Sequence, residues 1–170
     1  MNEPAYNSII ELLRGKNISY AAFSHEPSKT SDESKAMRAK MGYPNVTGAK
    51  ALLAKLYFKD GERFATIVIP GDHTLDKDKL IATVPNLKKM RFATPEEMKT
   101  LAGVIPGCMP PFAAPLFPGI PLLILATALG ANEKIGFNAA YLDRSIVMAY
   151  LDYRSIITPS FIVDCSVPKV

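Results

Sequence analysis

Residues 49–70 read AKALLAKLYFKDGERFATIVIP, two apolar runs that are separated by Asp60-Gly61. An Asp-Gly pair between two apolar runs is a strong short-range signal for a β-hairpin. Pro70, followed by Gly71-Asp72, closes the second run. The stretch therefore predicts two paired antiparallel strands, and it favours a mixed or antiparallel sheet over a doubly wound parallel one.

Helix-start signals lie on both sides of this hairpin. The segments Thr30–Glu33 and Thr94–Glu97 both have the pattern of a capping box, in which hydroxyl and carboxylate side chains bond each other's backbone amides. The sequence predicts two helices over Ala5–Lys16 and Ser31–Met41. It predicts a third that is capped by Asp76 and runs through Val84, a fourth that starts at Thr94 and ends at Gly103, and a helical turn over Asp152–Ile157. It predicts further strands over Tyr20–Ser24, Met90–Ala93, Leu122–Leu125, Lys134–Asn138 and Ser145–Met148. These interleaved elements predict one domain, residues 1–170, of the mixed α/β (α+β) class.

The composition is that of a globular domain. The chain has 170 residues, 48% of them hydrophobic, and a formal net charge of +4. These values exclude disordered, collagenous and coiled-coil classes. The basic excess lies in residues 1–60, which carry nine basic and six acidic side chains. Such a bias is compatible either with weak steering of an anionic partner or with an ordinary solvated surface.

The most apolar stretch, residues 111–131, is interrupted by Pro115, Pro118 and Pro121, so no membrane association is expected. No secretory signal is visible. We therefore expect a cytoplasmic protein in which the two cysteines are reduced. The apolar segment Leu116–Leu125 is a candidate contact surface for another chain, and the oligomeric state stays open.

Common catalytic and cofactor motifs are absent. There is no GxxxxGK[ST] and no GxGxxG after a strand, which argues against the usual nucleotide sites. His25 and His73 are isolated, and the cysteines lack CxxC spacing. We therefore expect no metal and no cofactor.

The segment GVIPGCMPPF, residues 103–112, is the first candidate for function. Its glycines and prolines could aim backbone amides at an oxyanion, or they could form a rigid connector. Lys50 is a second candidate, either for a phosphate or carbonyl group or as a solvent-facing strand lysine. Asn138 and Asp143 could bind a substrate or only form a turn. His25 could take part in acid–base chemistry if other groups converge on it.

Six segments, taken in order, resemble a known family. They are His25-Glu26-Pro27, Thr30-Ser31, Gly48–Leu53, Ile69–Asp72, Met90–Glu97 and Gly107–Pro111. In this order and spacing they resemble the YbaK/EbsC and prolyl-tRNA synthetase insertion-type aminoacyl-tRNA editing domains. The resemblance covers nearly the whole chain. It implies a YbaK-like domain with a central, largely antiparallel or mixed sheet and surrounding helices, which hydrolyses mischarged aminoacyl-tRNA in trans.

The resemblance also implies site residues. Lys50 matches the strand lysine of the family, and residues 107–111 match its GxxxP loop. We expect the backbone amides of Gly107 to Met109 to hold the oxyanion and Lys50 to orient the terminal phosphate or the ester. The expected catalytic residues are Lys50, Gly107, Cys108, Met109 and Pro111, and the expected substrate-binding residues are His25, Thr30, Ser31, Asn138 and Asp143.

The loop departs from the usual pattern at Pro110 and at Ala113-Ala114. These departures motivate an alternative, a noncatalytic module of the same fold that binds a small ligand or a synthetase. A third alternative is a structural protein whose loop concavity is filled by its own side chains. The expected partners of the catalytic hypothesis are mischarged aminoacyl-tRNA and, as a further candidate, an aminoacyl-tRNA synthetase.

Overall fold

The predicted hairpin is the longest pair of strands in the computed structural model, which describes residues 1–170. The strands are β1 Tyr20–Ser24, β2 Thr47–Phe58, β3 Gly61–Pro70, β4 His73–Leu75, β5 Leu87–Phe92, β6 Leu122–Ala126, β7 Lys134–Asn138, β8 Arg144–Ala149, β9 Phe161–Val163 and β10 Ser166–Pro168. The helices are α1 Glu3–Gly15, α2 Ser31–Lys40, α3 Lys77–Thr83, α4 Pro95–Ala102 and α5 Tyr150–Ile156, with a 3₁₀ turn over Thr127–Ala131.

The main sheet is mixed, as predicted. Its strand order is β1-β8-β7-β2-β3-β6-β9, and β5 pairs with β2 beside this path. Strands β2 and β3 are antiparallel from the Phe58–Gly61 pair at the turn to the Ala49–Pro70 pair. The pairs β2–β7, β3–β6 and β6–β9 are parallel. The fold class predicted from the hairpin is therefore confirmed.

The predicted capping boxes differ in outcome. At α4 the Thr94 hydroxyl and the Glu97 carboxylate bond each other's backbone amides, and Gly103 ends the helix with φ +66°. At α2 the Thr30 hydroxyl accepts a hydrogen bond from the Glu33 amide, as predicted. The Glu33 carboxylate, however, accepts from the amide of Lys29 at 2.8 Å, so the reciprocal half of this box was predicted wrongly. The carboxylate reaches one residue further upstream and anchors the chain before the helix.

The proline-rich segment between α4 and β6 forms no helix or strand, and it is part of the core. Phe112, Phe117 and Ile120 are buried and belong to a cluster of 25 buried residues that also includes α1 residues Ile9 and Leu13. The expectation that Leu116–Leu125 is an exposed contact surface was therefore wrong, because most of its apolar side chains pack inside. Thr66 fixes this segment to β3 by donating a hydrogen bond to the Phe112 carbonyl.

Three short strands were not predicted from the sequence. Strand β9 extends the main sheet, and β10 pairs with β4 in a separate two-stranded sheet. The amide of Lys169, which directly follows β10, donates to the carbonyl of Asp72 at 2.9 Å. This contact fixes the position of Lys169 beside the β3–β4 turn. None of the helices has the length and apolar character that crossing a membrane requires.

Candidate active site

A cavity of about 490 Å³ lies between α2, the start of β2, the end of β7 and the loop after α4. The parallel contact of β2 with β7, where Gly48 pairs with Gly136, brings these elements together. Helix α2 closes one side of the cavity along most of its length, from Ser31 to Arg38. The cavity is lined by Lys29, Thr30, Ser31, Asp32, Ser34, Arg38, Gly48, Ala49, Lys50, Ala51, Leu52, Gly107, Met109, Gly136, Phe137, Asn138 and Lys169.

The charges of the lining are strongly unequal. Its basic side chains are Lys29, Arg38, Lys50 and Lys169, and its single acidic side chain is Asp32. A concave site with one sign of charge concentrates the field of those charges and attracts ligands of the opposite sign. The cavity is therefore suited to a ligand that carries negative charge.

Lys50 is the basic residue that the central hairpin supplies. It pairs with Ile69 of β3 in the register of the hairpin and is half-buried. Burial lowers the pKa of the Lys50 ammonium from its ordinary value of 10.5, the nearby Lys169 lowers it further, and Asp32 partly opposes both. Lys50 thus shares one end of the cavity with a second cation and a carboxylate.

The loop at Gly107 has the backbone conformation of a glycine. Its φ is +94°, and a Cβ atom there would lie 3.0 Å from the Leu142 side chain and 3.4 Å from the Lys29 carbonyl oxygen. The amide of Cys108 donates to the Ile105 carbonyl, whereas the amides of Gly107 and Met109 donate to no protein acceptor. Two backbone donors therefore remain free at the edge of the cavity.

Asn138, at the end of β7, fixes this loop. Its side-chain amide donates to the carbonyl of Gly107 at 2.9 Å and to that of Ser28 at 3.2 Å. The amide of Ala140 also donates to the carbonyl of Cys108. The loop is therefore held from the sheet side by two hydrogen bonds that use its carbonyls and leave its free amides available.

The chain matches one known protein family over most of its length. The family described as aminoacyl-tRNA editing domain matches residues 25–156, which include every lining residue except Lys169. The chain belongs to this family. The resemblance found in the sequence is thereby confirmed.

Known relatives of the editing domain agree with this assignment. The chain is 25% identical over 157 residues to the Multifunctional Ser/Thr-tRNA deacylase ProXp-y of Escherichia coli K12, covering 92% of this chain and 90% of the relative. Among solved structures, a candidate trans-editing enzyme for prolyl-tRNA synthetase has a TM-score of 0.71 at 16% identity, covering 98% of this chain and 99% of that one. A hypothetical protein has a TM-score of 0.74 at 19% identity, covering 94% and 99%. These structural likenesses show that the fold is shared.

The ten predicted site residues of the editing domain fall into two groups. The six that line the cavity are Lys50, Gly107, Met109, Thr30, Ser31 and Asn138. The other four, Cys108, Pro111, His25 and Asp143, lie around the cavity without lining it.

Cys108 and Pro111 are turned towards the core. The Cys108 side chain is fully buried, and burial raises the pKa of its thiol. Because its amide donates to the Ile105 carbonyl, Cys108 offers the cavity neither a thiolate nor a free N–H. The expectation that the Cys108 amide helps to hold an oxyanion was therefore wrong. The carbonyl of Pro111 accepts a hydrogen bond from the Tyr153 hydroxyl at 2.6 Å, which anchors the loop.

His25 reaches the site through other side chains. Its Nε2 lies 2.7 Å from the Ser145 hydroxyl, which is 3.3 Å from the Asn138 side-chain oxygen, and its Nδ1 lies 2.6 Å from the Glu26 carbonyl. The carbonyl requires a proton on Nδ1. Asp143 binds the His25 amide through its backbone carbonyl, and its Oδ1 is buried without a partner.

Sequence reasoning missed Arg38, Gly48 and Gly136. Ser31, Ser34 and Arg38 lie at helical spacing on α2 and all line the cavity. This spacing was visible in the sequence, but the pattern of an ordinary solvated helix face is the same. Gly48 belongs to a segment that resembles the family, but nothing in the sequence marked Gly48 or Gly136 as part of a cavity wall, because that role follows from strand pairing between distant parts of the chain.

The residues that motivated the noncatalytic alternative lie outside the cavity lining. Pro110 and Ala113 are buried in the core, and Ala114 is exposed. The departures from the usual loop pattern therefore do not change the composition of the cavity wall.

Proposed function

We propose that the protein is a trans-acting aminoacyl-tRNA deacylase, which hydrolyses the ester bond of mischarged tRNA. The observation that carries this proposal is the juxtaposition of Lys50 and the free amides of Gly107 and Met109 around one cationic cavity in a chain of the editing family. An editing site needs to bind a nucleic-acid end, to hold a carbonyl and to admit water. This cavity has the groups for the first two tasks and opens to solvent for the third.

The reaction is the addition of water to the ester carbonyl. The water oxygen bonds to the carbonyl carbon, negative charge develops on the carbonyl oxygen, and the bond to the ribose oxygen then breaks. The products are the free amino acid and the tRNA hydroxyl, which takes up the proton released by the water. An ester is already activated, so most of the rate enhancement can come from positioning and from stabilisation of the oxyanion.

Each group has a separate role in this proposal. The amides of Gly107 and Met109 donate to the developing oxyanion. The ammonium of Lys50 orients the ester or the adjacent terminal phosphate. Asp32 is the only carboxylate of the lining and lies close enough to Lys50 to affect its pKa, so it is the available partner for the substrate's α-ammonium group. The vicinal hydroxyl of the terminal ribose orients the water, since no histidine lines the cavity.

The substrate selection that we propose rests on the relative. The Escherichia coli protein is named a Ser/Thr-tRNA deacylase, and the cavity presents the hydroxyl-bearing residues Thr30, Ser31 and Ser34. We therefore propose small aminoacyl groups, with serine and threonine as the first to be tested and alanine and cysteine next. The proposed substrate places the activity in the cytoplasm, where tRNA is charged, and makes an aminoacyl-tRNA synthetase the first protein partner to be tested.

The test is a panel of tRNAs charged with radiolabelled serine, threonine, alanine or cysteine, each paired with cognate and noncognate tRNA. We expect micromolar protein to release amino acid from at least one mischarged member faster than from its cognate counterpart. Binding of the panel without any release would support the noncatalytic alternative and contradict the deacylase proposal. The absence of both binding and release would likewise contradict the deacylase proposal.

A further inference from the structure

Arg38 occupies an unusual position in the floor of the cavity. It lies in the last part of α2, is only 2% exposed and is the largest of the fully buried side chains. Its guanidinium passes over the paired glycines of β2 and β7. A Cβ atom on Gly48 would lie 3.0 Å from Arg38 Nη2, and one on Gly136 would lie 2.5 Å from Arg38 Cδ and 2.7 Å from Nε. The two strands have no side chains at the place where the guanidinium lies.

The Arg38 side chain has no acceptor within the protein. No carboxylate forms an ion pair with it, and none of its nitrogen atoms takes part in a hydrogen bond. Its Nε is buried without a partner. A guanidinium has five N–H donors in a fixed fork, and proteins normally satisfy the donors of a buried one with a carboxylate or carbonyl groups. The buried Nε of this arginine therefore has a desolvation cost in the free protein that no internal contact offsets.

Burial also changes the pKa of the Arg38 guanidinium. Desolvation lowers the pKa of the Arg38 guanidinium to about 10, because the protein supplies no charge that favours the cationic form. The side chain is still a cation at neutral pH. A ligand with negative charge would remove the cost by pairing with it.

The charged surroundings of Arg38 differ from those of Lys50. The pKa of Lys50 responds to Lys169 and Asp32, and that of Arg38 responds to burial alone. Besides Lys29, the cavity thus has two cationic centres: the Lys50–Lys169 pair, which has the Asp32 carboxylate nearby, and Arg38, whose pKa shows no influence of a carboxylate. The centre without a carboxylate is the better place for an anion and the poorer place for the substrate's ammonium group.

We propose that Arg38 is a phosphodiester-binding residue, which receives the phosphate adjacent to the terminal nucleoside of the tRNA substrate and leaves Lys50 to orient the ester. This inference rests on the proposed function, because the chemistry of that substrate names the anion: its aminoacyl group is cationic, its terminal ribose is neutral, and its negative charges are phosphodiesters. A guanidinium fork matches the geometry of two phosphate oxygens. Gly48 and Gly136 make room for it in this position.

The direct test is ligand binding by the whole protein, measured by calorimetry or by NMR titration. The probes are adenosine and adenosine 5′-(methyl phosphate), which differ only in one phosphodiester. We expect the wild type to bind the nucleotide at least tenfold more tightly than the nucleoside, and Arg38→Met to lose this difference. Equal affinity of the wild type for both probes would overturn the proposal. This readout does not depend on whether the protein is a deacylase.

Kinetics on minimal substrates extend the test to the reaction. The seryl esters of the same two compounds are compared for the wild type and for Arg38→Met, with Lys35→Gln on the exposed side of α2 as a matched control. We expect Arg38→Met to raise KM at least tenfold for the phosphodiester ester and to leave the other ester unchanged. Equal losses of kcat on both esters would place Arg38 at the ester instead and would overturn the phosphodiester assignment.

Thermal stability separates this binding role from a structural one. Arg38→Met replaces a buried unpaired cation by an apolar chain of similar length, so we expect its melting temperature to equal or exceed that of the wild type. Arg38→Lys, which keeps the charge but loses the fork, should retain only part of the preference for the phosphorylated probe. If both variants melted well below the wild type while keeping the full preference, Arg38 would be structural and the proposal wrong.

Discussion

The side-chain amide of Asn138 donates a hydrogen bond to the carbonyl of Gly107 at 2.9 Å, although the residues are 31 positions apart. Asn138 is the last residue of β7, and Gly107 lies in a loop without regular structure. A second hydrogen bond from the same amide reaches the carbonyl of Ser28. One side chain of the sheet therefore fixes both the loop that carries the free amides and the segment that leads into α2.

Asn138→Asp is the variant that tests this contact. It keeps the shape of the side chain but turns a carboxylate oxygen towards two carbonyls, so we expect the loop to move. A displacement of about 1 Å can cost on the order of a hundredfold in rate. We expect kcat for deacylation to fall at least tenfold in single-turnover assays.

The matched control for that variant is Asn132→Asp. The Asn132 amide also donates to two carbonyls, those of Ala128 and Leu129, but it does not line the cavity. We expect a similar loss of stability without a comparable loss of kcat. If the two variants lost activity equally, general destabilisation would explain the result and the contact with Gly107 would have no special role.

Gly107→Ala tests the backbone conformation of the loop. A φ of +94° is strained for alanine, and its Cβ would meet Leu142 and the Lys29 carbonyl. Gly42→Ala has a similar φ of +98° but nothing within 4 Å. We expect both variants to lose about 1–2 kcal/mol from backbone strain. Deacylation should fall only in Gly107→Ala, and a fall in both would show that strain alone is responsible.

Lys50→Ala tests the cation that the hairpin contributes to the cavity. Loss of its ammonium should lower kcat/KM for mischarged tRNA at least tenfold, since the substrate would lose a charge-assisted contact at the ester. Lys59→Ala is the control, because Lys59 lies in the exposed hairpin turn away from the cavity. An unchanged rate in Lys50→Ala would remove this lysine from the site.

Cys108→Ala tests whether the thiol takes part in the chemistry. The thiol is buried and its pKa is raised, so it forms little thiolate at neutral pH and should react slowly with iodoacetamide. We expect Cys108→Ala to keep kcat within about twofold while losing roughly 1 kcal/mol of stability from the small void. Loss of catalysis in a folded Cys108→Ala protein would reinstate the thiol as a reacting group.

Glu97→Gln tests whether the Glu97 carboxylate makes the folding stability depend on pH. The Glu97 carboxylate accepts two hydrogen bonds from the Arg91 guanidinium and one from the amide of Thr94. These hydrogen bonds lower the pKa of Glu97 from 4.5 to about 2. Because the folded value lies below the ordinary one, this stabilisation is complete above pH 4.5 and is lost as pH falls towards 2. The difference in melting temperature between the wild type and Glu97→Gln should therefore shrink in that range.

The control for the pH series is Glu96→Gln, a neighbouring glutamate that forms no ion pair. Its difference from the wild type should show no such trend between pH 6 and pH 3. A Glu97→Gln difference that stayed constant across this range would mean that the ion pair with Arg91 and the helix cap contribute no linked stability.

Local signals in the sequence were sufficient for most of the secondary structure. Asp60-Gly61 located the central hairpin, whose two turn residues are Lys59 and Asp60, and Thr94 with Glu97 determined the start of α4. These features depend on residues within a few positions of one another. The strands β4, β9 and β10 were missed because three-residue strands lack a measurable period and exist only through their partners.

Some residues of the candidate site could be predicted from the sequence, and Arg38 could not. Lys50 and Gly107 could be named because they belong to motifs that resemble a family. Arg38 could not be distinguished from other lysines and arginines of its helix, because its burial depends on two glycines from strands that are 88 positions apart.

The sequence by itself determined the mixed sheet, the helix caps and membership of the editing family, since each follows from short segments in a fixed order. Only the tertiary structure decided which groups face the cavity. It turned Cys108 into the core, left the amides of Gly107 and Met109 free, and placed the unpaired guanidinium of Arg38 over Gly48 and Gly136. The physical reason is that burial and hydrogen-bond pairing are properties of contacts between distant segments, and no local pattern encodes them.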